Sequence, residues 1–291
     1  SANGAVTVKP GMGRVPAWNP SQEAERGLLA QSMSVQGLLS RNAADLHLAM
    51  PAMITPDPHD PFHVPLGWRG ANIDGPIRVA VSKDDFGFGM HEDVAIAIDK
   101  AASALSRAGY AVEEVEPPLA RETGEAGYRC LLGEVKALLH SDIQRYGSEQ
   151  INQIFDDYYT QFPPYEGDEL LAMMAHRSHY ARQWSLFLET YPLILTPFLL
   201  APYFEAGRDT QGADGVRDVL GQAYWSFSMN FIGLPAGNIP THIAKLATGH
   251  QPIGVQIAGR RWREDLIVDA MKAIETEIPP LCDHLWDTHL A

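Results

Sequence analysis

Asn230-Phe231-Ile232-Gly233-Leu234-Pro235-Ala236-Gly237-Asn238-Ile239-Pro240 is the stretch on which the reading of this chain turns. Gly233, Pro235, Gly237 and Pro240 speak against a continuous helix and against a central strand. Phe231, Ile232, Leu234 and Ile239 nevertheless call for burial. A buried irregular backbone must satisfy its N–H and C=O groups off the regular ladder. Such a segment lines a pocket or passes close to another backbone. The plainer reading is a tight helix-to-strand connection inside a core, and spacing alone favours it.

Upstream, Val216 to Met229 reads as a helix with Tyr224, Trp225 and Phe227 near its end. Downstream, a polar turn over Leu246 to Gln251 leads into Ile253 to Gly259 and then a helix from Glu264 to Ile278. Tyr191 to Pro197 is a buried strand that stops abruptly at Thr196-Pro197. In α/β sheets ligands sit just beyond the carboxyl ends of strands, so Thr196 is a candidate pocket residue. Trp225, Ser226, Phe227, Asn230 and Ile232 join it, because they lead into the opening stretch.

Further upstream, Ile77 to Val81 is a strand, His91 opens a helix that runs to Ala108, and Gly109 stops it. Tyr110 to Val115 is the next strand, so this region is a βαβ unit and part of the sheet is parallel. Its Phe86-Gly87-Phe88-Gly89 loop lacks phosphate-cradle spacing and follows two acids. Helices are expected over Tyr128–Arg145, Ile151–Tyr159 and Leu170–Leu188. The last carries a Met and aromatic stripe that reads as core or pocket wall. His176 and His179 lie three apart on it and read as a surface pair. Asn42 can cap a helix that Pro51 ends, and the prolines around His59 and His63 exclude a helical metal pair there.

Composition narrows the function. The 291 residues suffice for one large core, and 45% hydrophobic with 20% charged residues marks a globular chain. A formal charge of −14 argues against nucleic acid or an anionic membrane surface as partner. The longest apolar run, Leu193 to Ala201, is interrupted by Thr196 and Pro197 and is too short to span a bilayer. Cys130 and Cys282 are far apart and form no CxxC, so neither a zinc nor a disulfide framework is expected and a cytoplasmic, reducing location fits.

Four separated segments, in order, resemble the amidase signature family. Asn3 to Pro10 with Gly13-Arg14-Val15-Pro16 resembles its NGvvglKPT-x-GRVP segment. Ser34 to Arg41 with Asp45 resembles SVqGPlaRsvaDl, and Leu193 to Pro197 resembles vLltPt. Asn230 to Pro240 followed by Pro252 to Arg260 resembles NltGlPaisvP and lPvGvQlvGr. The threonine of KPT is Gly11 here, and the proline of GP is Leu38; both departures concern turn geometry.

The resemblance implies one α/β domain over residues 1–291, a mixed β-sheet flanked by helices in an α/β/α sandwich, incomplete relative to the family fold. It implies hydrolysis of a small-molecule amide through a serine nucleophile, a second serine held by a cis peptide and a lysine base, with no cofactor and no metal. In the family these groups precede the segment matched by Ser1-Ala2-Asn3, the nucleophile within GGSxRxPA. No catalytic role therefore transfers to Lys9, Ser21, Ser32, Ser34 or Ser40. The expectation is a C-terminal part of an amidase, inactive alone. It pairs with another copy or with a missing N-terminal segment, which a monomer in sedimentation would contradict. A non-catalytic amidase-like binding or scaffold protein is the alternative. A further alternative makes Ser1 an N-terminal nucleophile, and a glutamine-amide-transferring subunit is another, without basic residues to support it.

Overall fold

The computed structural model describes residues 2–21, 24–247 and 249–281; Ser1, Thr248 and Cys282 lie outside them. Seven strands form one mixed sheet in the order β2-β1-β6-β7-β5-β3-β4. They are β1 (Val6–Lys9), β2 (Leu38–Ser40), β3 (Arg78–Val81), β4 (Ala111–Glu114), β5 (Leu193–Pro197), β6 (Ala236–Leu246) and β7 (Gly249–Gly259). β3 is parallel to both β4 and β5, and the remaining pairs are antiparallel. The expected βαβ unit is present, with α3 (Glu92–Arg107) as its crossover and His91 accepting from Asp93 N–H at its start.

The two faces of the sheet differ in side-chain size. Val6, Val8, Val79, Leu193, Leu195, Ile239, Val255 and Ile257 face α2 (Ala43–Met53), α3 and α10 (Glu264–Glu275). The opposite face carries Ala80, Ile194, Ala236 and Ala258. The three alanines let the aromatic helices α4 (Ala120–Leu138), α7 (Gly167–Thr190) and α9 (Tyr224–Phe231) sit close, with α1 (Leu28–Met33) beside them. Two helical layers on one sheet make the expected α/β/α sandwich. No helix among the described residues is long and apolar enough to cross a membrane.

Several local expectations are corrected. The opening stretch does enter a central strand, because β6 contains Gly237 and Pro240 and lies between β1 and β7. Pro240 is tolerated because β1 pairs β6 only as far as Asn238, leaving that side of Pro240 without a strand, and a bulge follows between Pro240 and His242. Pro51 does not end α2, which runs to Met53; it sits in the last turn, where Ile54 N–H still reaches Met50 O at 3.1 Å. Asn42 caps that helix as expected.

The helix expected over Tyr128–Arg145 begins at Ala120 and breaks at Leu139 before α5 (His140–Tyr146), with neither Gly nor Pro marking the break. The helix expected over Val216–Met229 is two, α8 (Gly212–Gln222) and α9, parted at Ala223. Gly221 stands just before that break because a Cβ there would lie 2.2 Å from the Phe88 ring. α6 (Glu149–Gln161) lies near its expected place. His176 and His179 stack 4.9 Å apart on α7, and His59 stacks on Trp18 and meets Asp57.

Candidate active site

The four segments that resemble one family are neighbours in space. β2 pairs β1, β1 pairs β6, β6 pairs β7 and β7 pairs β5, so they form one unbroken patch of sheet. On its aromatic-helix face a polar row crosses the strands. Thr7 is opposite Asn238, Asn238 is opposite Gln256, and Gln256 is opposite Thr196. Gln256 donates to the Thr196 hydroxyl at 3.1 Å and to Trp225 O at 3.4 Å, and Thr196 donates to Pro197 O at 3.0 Å. The Asn238 amide is 4% exposed, and neither its Oδ1 nor its Nδ2 has a hydrogen-bond partner. An unpaired buried amide costs free energy, so it marks a place where a further polar group belongs.

Below this row the turn that leaves α9 is held by cations. Gly233 takes φ +69°, a left-handed conformation suited to glycine. Arg177 donates to Phe231 O, and Arg261 donates to Ile232 O and, at 3.2 Å, to Gly233 O. These carbonyls form the negative end of α9, so the guanidiniums cap it electrostatically. Burial pushes Arg177 down to about 10 and lowers Arg261 also. Across from them the Gly11–Arg14 turn docks on α10. Gly11 N–H donates to Glu264 Oε1 at 2.9 Å, and Arg14 Nε lies 3.1 Å from Glu264 Oε2, with both side chains fully buried.

Lys9 projects beside this cluster and donates to Pro10 O at 3.1 Å. Burial lowers its pKa to about 7, partly countered by Glu264. A lysine with a folded pKa below its unfolded one sheds its proton more readily in the fold. The cost of its charge is therefore full below about pH 7 and vanishes above the ordinary value of 10.5. Lys9→Met should stabilise the protein by about 1–2 kcal/mol at low pH, with the gain fading as pH rises through that window. Urea denaturation at pH 6 and pH 10 checks this, and a loss of stability at pH 6 would refute it.

The six residues expected to line the pocket divide. Thr196 and Trp225 are brought together by Gln256. Thr196, Trp225 and Ile232 are buried, whereas Ser226, Phe227 and Asn230 are half-buried. Ser226 donates to Ala223 O, and Phe227 stacks on Tyr128 with ring centres 4.0 Å apart. Those two residues and Asn230 make no hydrogen bond to the polar row. Asn238 and Gln256 were absent from the expected set. Their signal is period two: each is polar and two residues from the alanine, Ala236 or Ala258, that faces the same layer. Among the described residues no serine hydroxyl meets a lysine amine or an imidazole.

A sequence profile described as Amidase matches residues 1–268. The chain belongs to the amidase signature family. It is 34% identical over 287 residues to an indoleacetamide hydrolase of Bradyrhizobium diazoefficiens, covering 98% of this chain and 54% of that protein. Against a glutamyl-tRNA(Gln) amidotransferase subunit of Latilactobacillus sakei it is 27% identical, covering 94% of this chain and 59% of that protein. Among solved structures, 6-aminohexanoate cyclic dimer hydrolase complexed with substrate superposes with a TM-score of 0.74 at 21% identity, over 96% of this chain and 61% of that one. A bacterial aryl acylamidase of the same family gives a TM-score of 0.69 at 18% identity, over 97% and 60%. These likenesses to structures establish the amidase-signature fold. The chain spans little more than half the length of the curated indoleacetamide hydrolase it matches.

Proposed function

We propose that this chain is the substrate-side part of an enzyme that hydrolyses a carboxylic amide to an acid and ammonia or an amine. The observation that carries the reading is the 34% identity to an indoleacetamide hydrolase along almost the whole chain. It is supported by the assembly of the four signature segments into one patch of sheet. An aryl-substituted acyl group is the proposed substrate class, given that relative and the aromatic side chains of α9, Trp225, Phe227 and Tyr224, on the same side of the sheet as the polar row. The nucleophilic serine, the bridging serine and the lysine base are proposed to lie in a part of the enzyme outside these 291 residues.

Covalent serine catalysis needs a base within hydrogen-bond reach of the hydroxyl, and donors aimed at the developing oxyanion. The polar row offers amide and hydroxyl groups that can orient a substrate but no base. Cytoplasmic location is part of the proposal and accords with Cys130, a buried free thiol whose pKa burial raises to about 11. Association through β2, the edge strand on which Leu39 is 76% exposed, with another copy or with the rest of the enzyme is proposed too.

The test is ammonia release from indoleacetamide, benzamide and acetamide, measured with the intact gene product and with the 291-residue chain alone. The intact protein should turn over the aryl amides, and the shorter chain should turn over none. Binding without turnover by the intact protein would favour the scaffold reading. Turnover by the short chain would place the catalytic groups inside it.

A further inference from the structure

At the carboxyl end of β3 a groove of about 630 Å³ opens between the β3–α3 loop, α4 and α8. Its floor is aromatic. The Phe86 and Phe88 rings lie 5.4 and 5.0 Å from the Tyr224 ring, each tilted against it. Its rim is cationic, with Arg121 and Arg129 from α4 and Arg217 from α8. In a chain of formal charge −14, three guanidiniums on one groove run against the general balance.

The charges around the groove leave two of these cations available. Glu125 also faces it, but its carboxylate lies 3.8 Å from Arg129, whose Nε already donates to Pro163 O. Arg217 approaches Asp218 only at 4.0 Å, and Asp218 is held instead by Arg208. Arg217 otherwise rests 4.9 Å over the Phe88 ring, with a long hydrogen bond of 3.4 Å to Gly87 O. Arg121 makes neither a hydrogen bond nor an ion pair among the described residues; its guanidinium lies 6.0 Å from the Phe86 ring centre. The Tyr224 hydroxyl likewise donates to no described residue. Burial and Glu125 raise its pKa, so it stays a donor.

The loop that presents the floor is held under strain. Phe86 takes φ +53° and is followed by Gly87 at +76°. Asp84 and Asp85 carboxylates accept from Phe86 and Gly87 N–H at 2.8 Å each, and Trp225 Nε1 donates to Asp84 O at 2.9 Å. Leu119, just before Arg121, takes φ +54°. Non-glycine residues in the left-handed region are strained and gather at ligand sites. Here two of them flank one groove.

We infer that this groove binds a small aromatic carboxylate. The ring packs against Phe88 and the small accessible edges of the otherwise buried Phe86 and Tyr224, and the carboxylate takes the planar guanidinium forks of Arg121 and Arg217 with the Tyr224 hydroxyl. Arginine suits a flat, bidentate anion better than a point charge, and the volume is that of a small-ligand site. An aryl carboxylate is also the acid that the proposed hydrolysis would release, but the assignment rests on the groove's own residues, and the Arg121 and Arg217 variants separate it from that reading.

Isothermal titration of the intact protein with phenylacetate, and with neutral 2-phenylethanol, which has no amide to hydrolyse, and non-aromatic acetate as controls, tests it. Phenylacetate should bind more tightly than either control, and added salt should weaken it. Arg121→Gln and Arg217→Gln should each raise its Kd about tenfold, which is 1.4 kcal/mol. Arg121 is exposed, so its variant should keep the wild-type Tm. Equal affinity for phenylacetate and 2-phenylethanol, no phenylacetate binding, or unchanged affinity in both variants would overturn the assignment.

Discussion

Arg14→Met is expected to lower stability by about 3–5 kcal/mol, among the largest single losses in this chain. Arg14 is a charged side chain with no exposed surface. Its guanidinium donates to the carbonyls of Leu66, Gly67 and Trp68 at 3.0, 2.8 and 3.2 Å. Its Nε faces Glu264 at 3.1 Å, an ion contact rather than an aligned hydrogen bond. Removing it strips three carbonyls of their donors and leaves a buried carboxylate with only backbone N–H groups, those of Gly11 and of Glu264 itself, for support. A pair taken out of water together breaks even at best, but a single charge left behind does not.

The double variant with Glu264→Gln should therefore recover part of the loss, because Gln still accepts from Gly11 and carries no charge. Acid should help the single variant in the same way. Burial already raises the Glu264 pKa, and without Arg14 it rises further. A carboxyl with a folded pKa above its unfolded one takes up a proton more readily in the fold, so falling pH favours the fold. Urea denaturation of the three proteins from pH 5 to pH 8 decides this. A single variant within 1 kcal/mol of wild type, on the scale of an ordinary surface substitution, would show that the pair is not anchoring the turn.

The strands and the sandwich were legible because their signals are local. β3, α3 and β4 show clean periodicity and a glycine stop, and β5 opens on the apolar run Leu193 to Leu195. Pro240 misleads because tolerance for proline depends on whether a strand lies alongside, which is a fact about β1 rather than about residues 236–246. The breaks at Leu139 and Ala223 carry no Gly or Pro at the break itself, and a helix-period pattern runs through both. The site was half legible. Thr196 and Trp225 stand where strand ends and aromatic helices suggest, yet what joins them is Gln256, from a strand sixty residues away along the chain. Arg121 and Arg217 sit on separate helices, and only the fold puts them over one floor. Side chains that converge from distant elements leave no spacing to read.

Trp225→Ala should cost a similar amount, about 3–5 kcal/mol, for a different reason. Trp225 is fully buried, with its ring 4.9 Å from Phe86 and its backbone carbonyl in reach of Gln256. Truncation leaves a void between α9 and the sheet, and a close-packed interior relaxes only partly to fill it. Trp225→Phe separates packing from hydrogen bonding. It keeps most of the ring volume but removes the donor to Asp84 O, which is only part-buried, and should cost about 1–2 kcal/mol. Asp84 also holds the Phe86 N–H, so this variant should speed amide exchange at Phe86 and Gly87 while distant strands keep their protection. If the alanine variant cost less than the phenylalanine one, or exchange in the loop stayed unchanged, the indole would not be what ties the strained loop at the end of β3 to α9 and, through Gln256, to the polar row.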